Sequence, residues 1–260
     1  DVPVEEADYV ALASFAAAVP ALRDVASQLC RSTLSIRKFL RWQDERLPLC
    51  DIDFKVGAVP APSSWSTGGD GDQFLRTCRA TDRNAPRPLG GLTTISWTPS
   101  AASHTLTVDE VPPELFLFES VVCTKADRVN GGRVQVPVTV TSADGTFDVE
   151  VGAQDEVQCD VDNQLRLDGA SADRLVVLTR TTDPADGLTL VNAQISGNPT
   201  TTLAAPGAGA FLVGTTPTLR FTPLESGWYL QSLECDGAAQ PAPAFATPTF
   251  APGSTHVCVL

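Results

Sequence analysis

Seven cysteines, Cys30, Cys50, Cys78, Cys123, Cys159, Cys235 and Cys258, are the reactive side chains that stand out in this sequence. Their spacings are wide and unequal and contain no C-x-x-C pair, so they read as disulfides rather than zinc ligands. His104 and His256 are the two histidines, each in a strand-like run. Neither lies in an H-E-x-x-H pattern or near a G-x-S-x-G, and both read as surface or strand histidines. Gly69-Asp-Gly71 and Gly207-Ala-Gly209 lack the third glycine of a dinucleotide fingerprint. Asp144, Asp148, Glu150, Asp155, Glu156, Asp160 and Asp162 form an acidic run without an intervening Lys or Arg. No EF-hand loop pattern accompanies it, so it is read as a solvated acidic sheet face. No metal and no cofactor is expected, and with no visible nucleophile–base pair the chain is not read as an enzyme. Trp228 is assigned to core packing, whereas Trp65, in a Ser/Gly-rich loop, is the candidate ligand contact.

Composition narrows the partners. The chain has 260 residues, 43% hydrophobic and 19% charged, enough apolar content for one large or two small folded domains. Lys and Arg number 18 against 31 Asp and Glu, a formal charge of −13. That balance argues against nucleic acid and anionic membrane surfaces, which need clustered positive charge. No apolar run reaches the ~18 residues of a membrane helix, so no membrane span is expected. Methionine is absent even at position 1. This is read as a signal peptide already removed, which with the cysteines implies an extracellular or cell-surface location.

The elements that must position these groups are strands. Twenty prolines and nineteen glycines punctuate short Val/Thr-rich runs, an all-β signature. Leu34-Ser-Ile36-Arg-Lys38, Thr105–Val108, Gly132–Val140, Phe147–Val151 and Val157–Val161 all alternate apolar and polar residues, as half-buried strands do. Pro137 marks an edge position. Residues 1–33 differ: Val10, Leu12, Phe15, Val19, Leu22, Val25 and Leu29 recur at roughly helical spacing, predicting a helical or extended N-terminal arm. Residues 59–91 are rich in Pro and Gly and read mostly as long loops.

After a polar joint from Gln164 to Arg174 the order of events repeats. The first half runs from Leu34–Phe39 through Thr105–Val108, a corner and Val121-Val122-Cys123 to a last strand with Cys159. The second runs from Val176–Thr181 through Thr218–Thr222, a corner and Leu233-Glu-Cys235 to a last strand with Cys258. An internal duplication accounts for this. The expected fold is two tandem Ig-like, prealbumin-like β-sandwiches at 34–168 and 169–260, behind the arm at 1–33.

Leu34-Ser-Ile-Arg-Lys38, Thr105-Leu-Thr-Val-Asp-Glu110-Val-Pro-Pro and Val157-Gln-Cys-Asp-Val-Asp-Asn163 resemble the first, the Glu-bearing and the last strands of collagen-adhesin B-type (SpaA-like) domains of bacterial surface proteins. Pro223-Leu-Glu-Ser-Gly-Trp228 to Cys235 and Ala251-Pro-Gly-Ser-Thr-His-Val-Cys258 are similar to a variant in which such strands carry a cysteine pair. The resemblance covers about residues 34–260. It implies a secreted stalk, pilin or adhesin module. It further implies that Lys38 attacks the Asn163 amide, assisted by a protonated Glu110, to form an isopeptide crosslink. The alternative is a solvent-facing Lys38 in a weak ion pair. In the second half Arg180 stands at the Lys position and cannot be a nucleophile, so no such bond is expected there.

Cys123 with Cys159 and Cys235 with Cys258 occupy matching points of the halves and are expected to pair. Cys50 and Cys78 staple the long insertion, and Cys30 is unpaired or intermolecular, unless it takes Cys50 or Cys78 as partner. The function expected is a structural subunit of an extracellular filament or stalk, self-associating through residues 1–33 and exposed sheet edges. The alternative is an adhesin module whose Ser63–Gln73 loop contacts a ligand.

Overall fold

The computed structural model describes residues 31–68, 71–78, 90–111, 115–127, 130–166, 173–181, 189–241 and 245–260. Residues 1–30, with Cys30 and nearly all of the expected arm, lie outside the described residues. The described elements are all strands. The first twelve are β1 (Ser32–Trp42), β2 (Glu45–Pro48), β3 (Asp53–Val59), β4 (Ser64–Trp65), β5 (Gln73–Arg76), β6 (Leu92–Thr98), β7 (Ser103–Val111), β8 (Phe116–Ala126), β9 (Arg133–Val136), β10 (Val138–Val140), β11 (Thr146–Gly152) and β12 (Glu156–Leu165). The rest are β13 (Asp173–Thr179), β14 (Thr189–Ile195), β15 (Thr201–Ala205), β16 (Gly207–Val213), β17 (Leu219–Pro223), β18 (Glu234–Cys235), β19 (Ala238–Ala239), β20 (Phe245–Ala246) and β21 (Thr255–Val259).

They form two β-sandwiches. In the first, a sheet ordered β4-β6-β1-β12-β8-β9, with β2 also on β1, faces a sheet ordered β10-β11-β7-β3-β5. In the second, β16-β13-β21-β18-β19 faces β15-β14-β17-β20. Alternation decides which side chains enter the cores. Leu34, Ile36, Lys38 and Leu40 point inward from β1, and Val157, Cys159, Val161, Asn163 and Leu165 from β12. His104, Leu106, Val108 and Glu110 point inward from β7 in the opposite sheet. Each buried Leu or Val removes roughly 1.5–3 kcal/mol of apolar exposure from water. Lys38, Glu110 and Asn163 occupy positions that could have done the same.

Pro137 sits where the strand changes sheets: β9 ends just before it on the edge of one sheet, and β10 begins just after it on the edge of the other. A residue without an N–H interrupts a ladder least at such a point.

The halves repeat in register as well as in sequence. β1 runs parallel to β12 with Ile36 opposite Cys159, and β12 is antiparallel to β8 with Cys159 opposite Cys123. Likewise β13 runs parallel to β21 with Val177 opposite Cys258, and β21 is antiparallel to β18 with Cys258 opposite Cys235. The run Leu175-Val-Val-Leu178 does not alternate because β13 is buried on both faces. Leu175 and Val177 enter the second core, while Val176 and Leu178, with Ala208, join the first. A bridge from Leu49 to Ala208, the Arg180–Glu45 ion pair at 2.5 Å and a hydrogen bond from the Thr202 N–H to Asp51 tie the two together.

Residues 59–91 are less loop-like than their composition suggested, for they contain β4 and β5. In β5 the polar Gln73 points inward beside Leu75 and Phe74 outward, which reverses the usual pattern and hides the strand.

Candidate functional site

Lys38, Glu110 and Asn163 meet in the core of the first sandwich, at 0%, 2% and 0% exposure. Lys38 therefore does not reach solvent. Its Nζ donates to Glu110 Oε2 at 2.7 Å and to Asn163 Oδ1, and Asn163 Nδ2 donates to Glu110 Oε1 at 2.6 Å. The three side chains close a ring across the sandwich: amine and amide come from neighbouring parallel strands, and the carboxyl comes from the facing sheet. The β12–β8 register shifts between Asp162 and Asn163, leaving Glu119 outside the ladder, so Asn163 sits at a β-bulge.

Two glycines make room. Gly145, at φ 101°, approaches so closely that a Cβ would lie 3.1 Å from Glu110 Cβ and 3.2 Å from Oε2. Gly91, at φ 71°, abuts the Lys38 carbonyl. Both conformations favour glycine.

Burial pushes the Lys38 amine down to about 8, against the opposing pull of Glu110 and, more weakly, Asp162. A base with that value is about one-tenth neutral at pH 7. Reaction of this amine is therefore expected to accelerate as pH rises through about 8 and to level off above it. A time course of mass change during refolding at several pH values checks this, and a rate that falls over the same window would contradict it.

Among the described residues the second half has no equivalent ring. Because Val177 pairs with Cys258 as Ile36 pairs with Cys159, the residue in the Lys38 place is Thr179, not Arg180. Thr179 is buried and its hydroxyl donates to the Ala204 carbonyl. Arg180 and Thr179 border an open cleft of about 290 Å³ with Trp228, Tyr229 and Leu260. Trp228 thus lines a cleft and is only half-buried, not core as expected from sequence.

The disulfides are Cys50–Cys78, Cys123–Cys159 and Cys235–Cys258. The last two join directly opposed residues of neighbouring strands, each with Cα atoms 4.0 Å apart.

Trp65 corrects the expectation of a surface contact. It is 7% exposed and packs on Trp97 at 5.7 Å between ring centroids, because β4 pairs with β6 and turns the indole inward. Trp65→Ala is accordingly expected to destabilise the first sandwich by about 3–5 kcal/mol. Thermal denaturation measures it, and an unchanged midpoint would return Trp65 to the surface.

Neither histidine is a surface residue. His104 Nε2 accepts from the Ser100 N–H at 3.2 Å, which leaves Nδ1 to donate to the Pro60 carbonyl at 2.7 Å. His256 lies between Asp236, at 2.6 Å from Nδ1, and Ser254, at 3.0 Å from Nε2, the residue types of a hydrolase triad. Nε2 also faces the Ala251 carbonyl at 2.9 Å. The Ser254 hydroxyl donates to that same carbonyl at 2.9 Å, so its hydrogen is directed away from Nε2 and the three residues do not work as a triad.

Three members of the acidic run are ion-paired with side chains from β1, β2 and β8: Asp160 binds Arg37 and Arg46, Asp162 binds Arg46, and Asp155 binds Lys125, while Asp144, Glu150 and Glu156 are exposed, as a solvated acidic face would be. Among the described residues no cluster of three or more His, Cys, Asp or Glu is arranged to hold a metal. Nor is any described helix long and apolar enough to cross a membrane.

No family model matches the chain, and no curated protein matches it. Among solved structures it is similar to the major pilin T-13 of Streptococcus pyogenes, with 10% identity over 87% of this chain and 96% of that one and a TM-score of 0.25. It is similar also to the shaft pilin SpaA of Lactobacillus rhamnosus GG, with 10% identity over 88% and 97% and a TM-score of 0.27. A third is the Bacillus anthracis TIE protein, with 10% identity over 89% of this chain and 34% of that one and a TM-score of 0.29.

Proposed function

We propose that this chain is a structural subunit of an extracellular surface filament or stalk, and that its first sandwich, residues 34–168, closes a Lys38–Asn163 isopeptide bond on itself. The observation that carries the reading is the buried ring of Lys38, Glu110 and Asn163, whose members sit where apolar residues would otherwise pack. A buried charge partner costs several kcal/mol in desolvation, so three polar side chains here are better explained by chemistry than by stability.

The reaction balances without a cofactor. The Lys38 ammonium first gives up its proton to solvent, the step that makes the rate rise with pH, which leaves a neutral amine beside the amide carbon. Nζ attacks Asn163 Cγ, and the carbonyl electrons move onto Oδ1. Glu110, hydrogen-bonded to both nitrogens, takes a proton from Nζ and passes it to Nδ2 as the C–N bond breaks. The products are a secondary amide and one ammonia.

The mechanical consequence follows from the register. β1 and β12 are adjacent and parallel, so tension entering at Ser32 and leaving at Leu165 shears them past each other. With Lys38 bonded to Asn163 the force path crosses directly between the strands, and residues 39–162 bear no extension. The Cys235–Cys258 disulfide limits unravelling in the second half in the same way. Exposed sheet edges such as β5, β9 and β10, together with residues 1–33, would supply contacts between subunits.

Single-molecule extension tests the reading. Wild type is expected to give no lengthening from residues 39–162, while Glu110→Ala releases those of them outside the loops closed by Cys50–Cys78 and Cys123–Cys159; release in wild type would contradict the function. Assembly of the full chain into polymers that a 1–33 deletion cannot form is expected in parallel.

A further inference from the structure

Outside the core, on the opposite face of the same strands, lies a cluster of charges that the ring does not use. Arg46, on β2, donates from Nε to Asp162 Oδ1 at 2.6 Å and from Nη2 to Asp162 Oδ2 at 3.2 Å. Its Nη1 reaches Asp160 Oδ2 at 3.2 Å, and its guanidinium lies 3.7 Å over the Phe39 ring. This is a forked, stacked geometry that only arginine supplies. Asp162 immediately precedes Asn163, and its side chain is 6% exposed.

We propose that Arg46 is a positioning residue for the Lys38–Asn163 bond, neutralising the buried Asp162 beside Asn163 so that the Lys38 amine can take its neutral, nucleophilic form. The inference rests on the isopeptide reading above. Its logic is electrostatic. A nearly buried carboxylate next to the reacting amide stabilises an ammonium, and Asp162 is one of the charges that hold the proton on Lys38. A bidentate guanidinium on the far side turns that carboxylate into one half of an ion pair and weakens its field at the amine. The other charged or polar groups around Asp162 are Arg41, at 3.6 Å and shared with Glu119, and the Ser120 hydroxyl at 3.5 Å. On the core side Lys38 faces Glu110 alone among charged partners at hydrogen-bond distance. Arg37 is occupied by Asp160, at 2.7 and 2.6 Å. Among the described residues, therefore, no other cation makes a bidentate contact with Asp162.

The test follows bond formation in the full chain, refolded under oxidising conditions from unfolded, unreacted protein and quenched at intervals for intact mass, between about pH 6 and about pH 10. Arg46→Gln is expected to move the midpoint of the rate profile to higher pH by about one unit, and so to slow the reaction about tenfold at neutral pH. Asp162→Asn is expected to move it the other way, and the double variant to return toward wild type. A loss that is merely structural would slow the reaction equally at every pH and would not be rescued by Asp162→Asn. That pattern, or a wild-type profile in Arg46→Gln, overturns the proposal while leaving the bond itself intact. A wild-type chain that never loses ammonia removes the reading beneath it.

Discussion

Glu110→Ala is expected to leave a chain at the full mass of its own sequence, its ammonia retained, where wild type falls about 17 Da below its own, and to lower the stability of the first sandwich more than any single core truncation. Two effects combine. The substitution strands a buried amine and a buried amide without their shared acceptor, and removing one partner of a buried pair costs about 3–5 kcal/mol. It also prevents a covalent link between residues 125 apart in sequence. By chain-entropy reasoning, closing a loop of that order constrains the unfolded state by about 4–5 kcal/mol. Either effect is a large share of the roughly 5–15 kcal/mol that stabilises a domain. Lys38→Met separates them, because it removes the charge and the bond together yet keeps the volume filled. The expected order of stability by calorimetry is wild type, then Lys38→Met, then Glu110→Ala. Equal stability of all three, with each chain at the full mass of its own sequence, would mean that no bond forms.

Replacing Cys235 and Cys258 by Ala is expected to destabilise the second sandwich by about 3 kcal/mol, from the loop-closure term alone. The bridge spans 23 residues. It matters more here than the number suggests, because the strands it anchors, β18 and β19, have two residues each. Hydrogen exchange should show lost protection along β21 and around Glu234–Ala239 while β1, β12 and the crosslink are unaffected. The halves share packing at Val176, Leu178 and Ala208, so uniform loss of protection across both would show them to be a single cooperative unit.

Much of this was legible in the sequence where one physical signal acted alone. Period-two runs such as Val157–Val161 gave their strands and inward faces, and Pro137 its edge. The repeated order of strands and cysteines carried the duplication. Legibility failed where a second surface intervened. β13 is covered on both faces, so its apolar run carries no alternation, and β5 buries a glutamine while exposing Phe74. Trp65 sits in a Ser/Gly-rich stretch whose two-residue strand turns it inward. The Lys38 place in the second half was displaced by one residue: sequence likeness favours the charged Arg180, but pairing with Cys258 puts Thr179 there. Arg46 carried no motif. Its role depends on a hairpin that brings β2 beside β1 and on carboxylates more than a hundred residues away. The ion pairs of Asp155, Asp160 and Asp162 were hidden for the same reason, since their cations come from distant strands.

The most direct measurement is intact mass with peptide mapping of the purified full chain, under reducing and non-reducing conditions. A mass about 17 Da below that of the reduced sequence, located in a branched peptide joining Lys38 to Asn163, is the expected result. A chain at full mass, with the two residues recovered in separate linear peptides, would contradict the account.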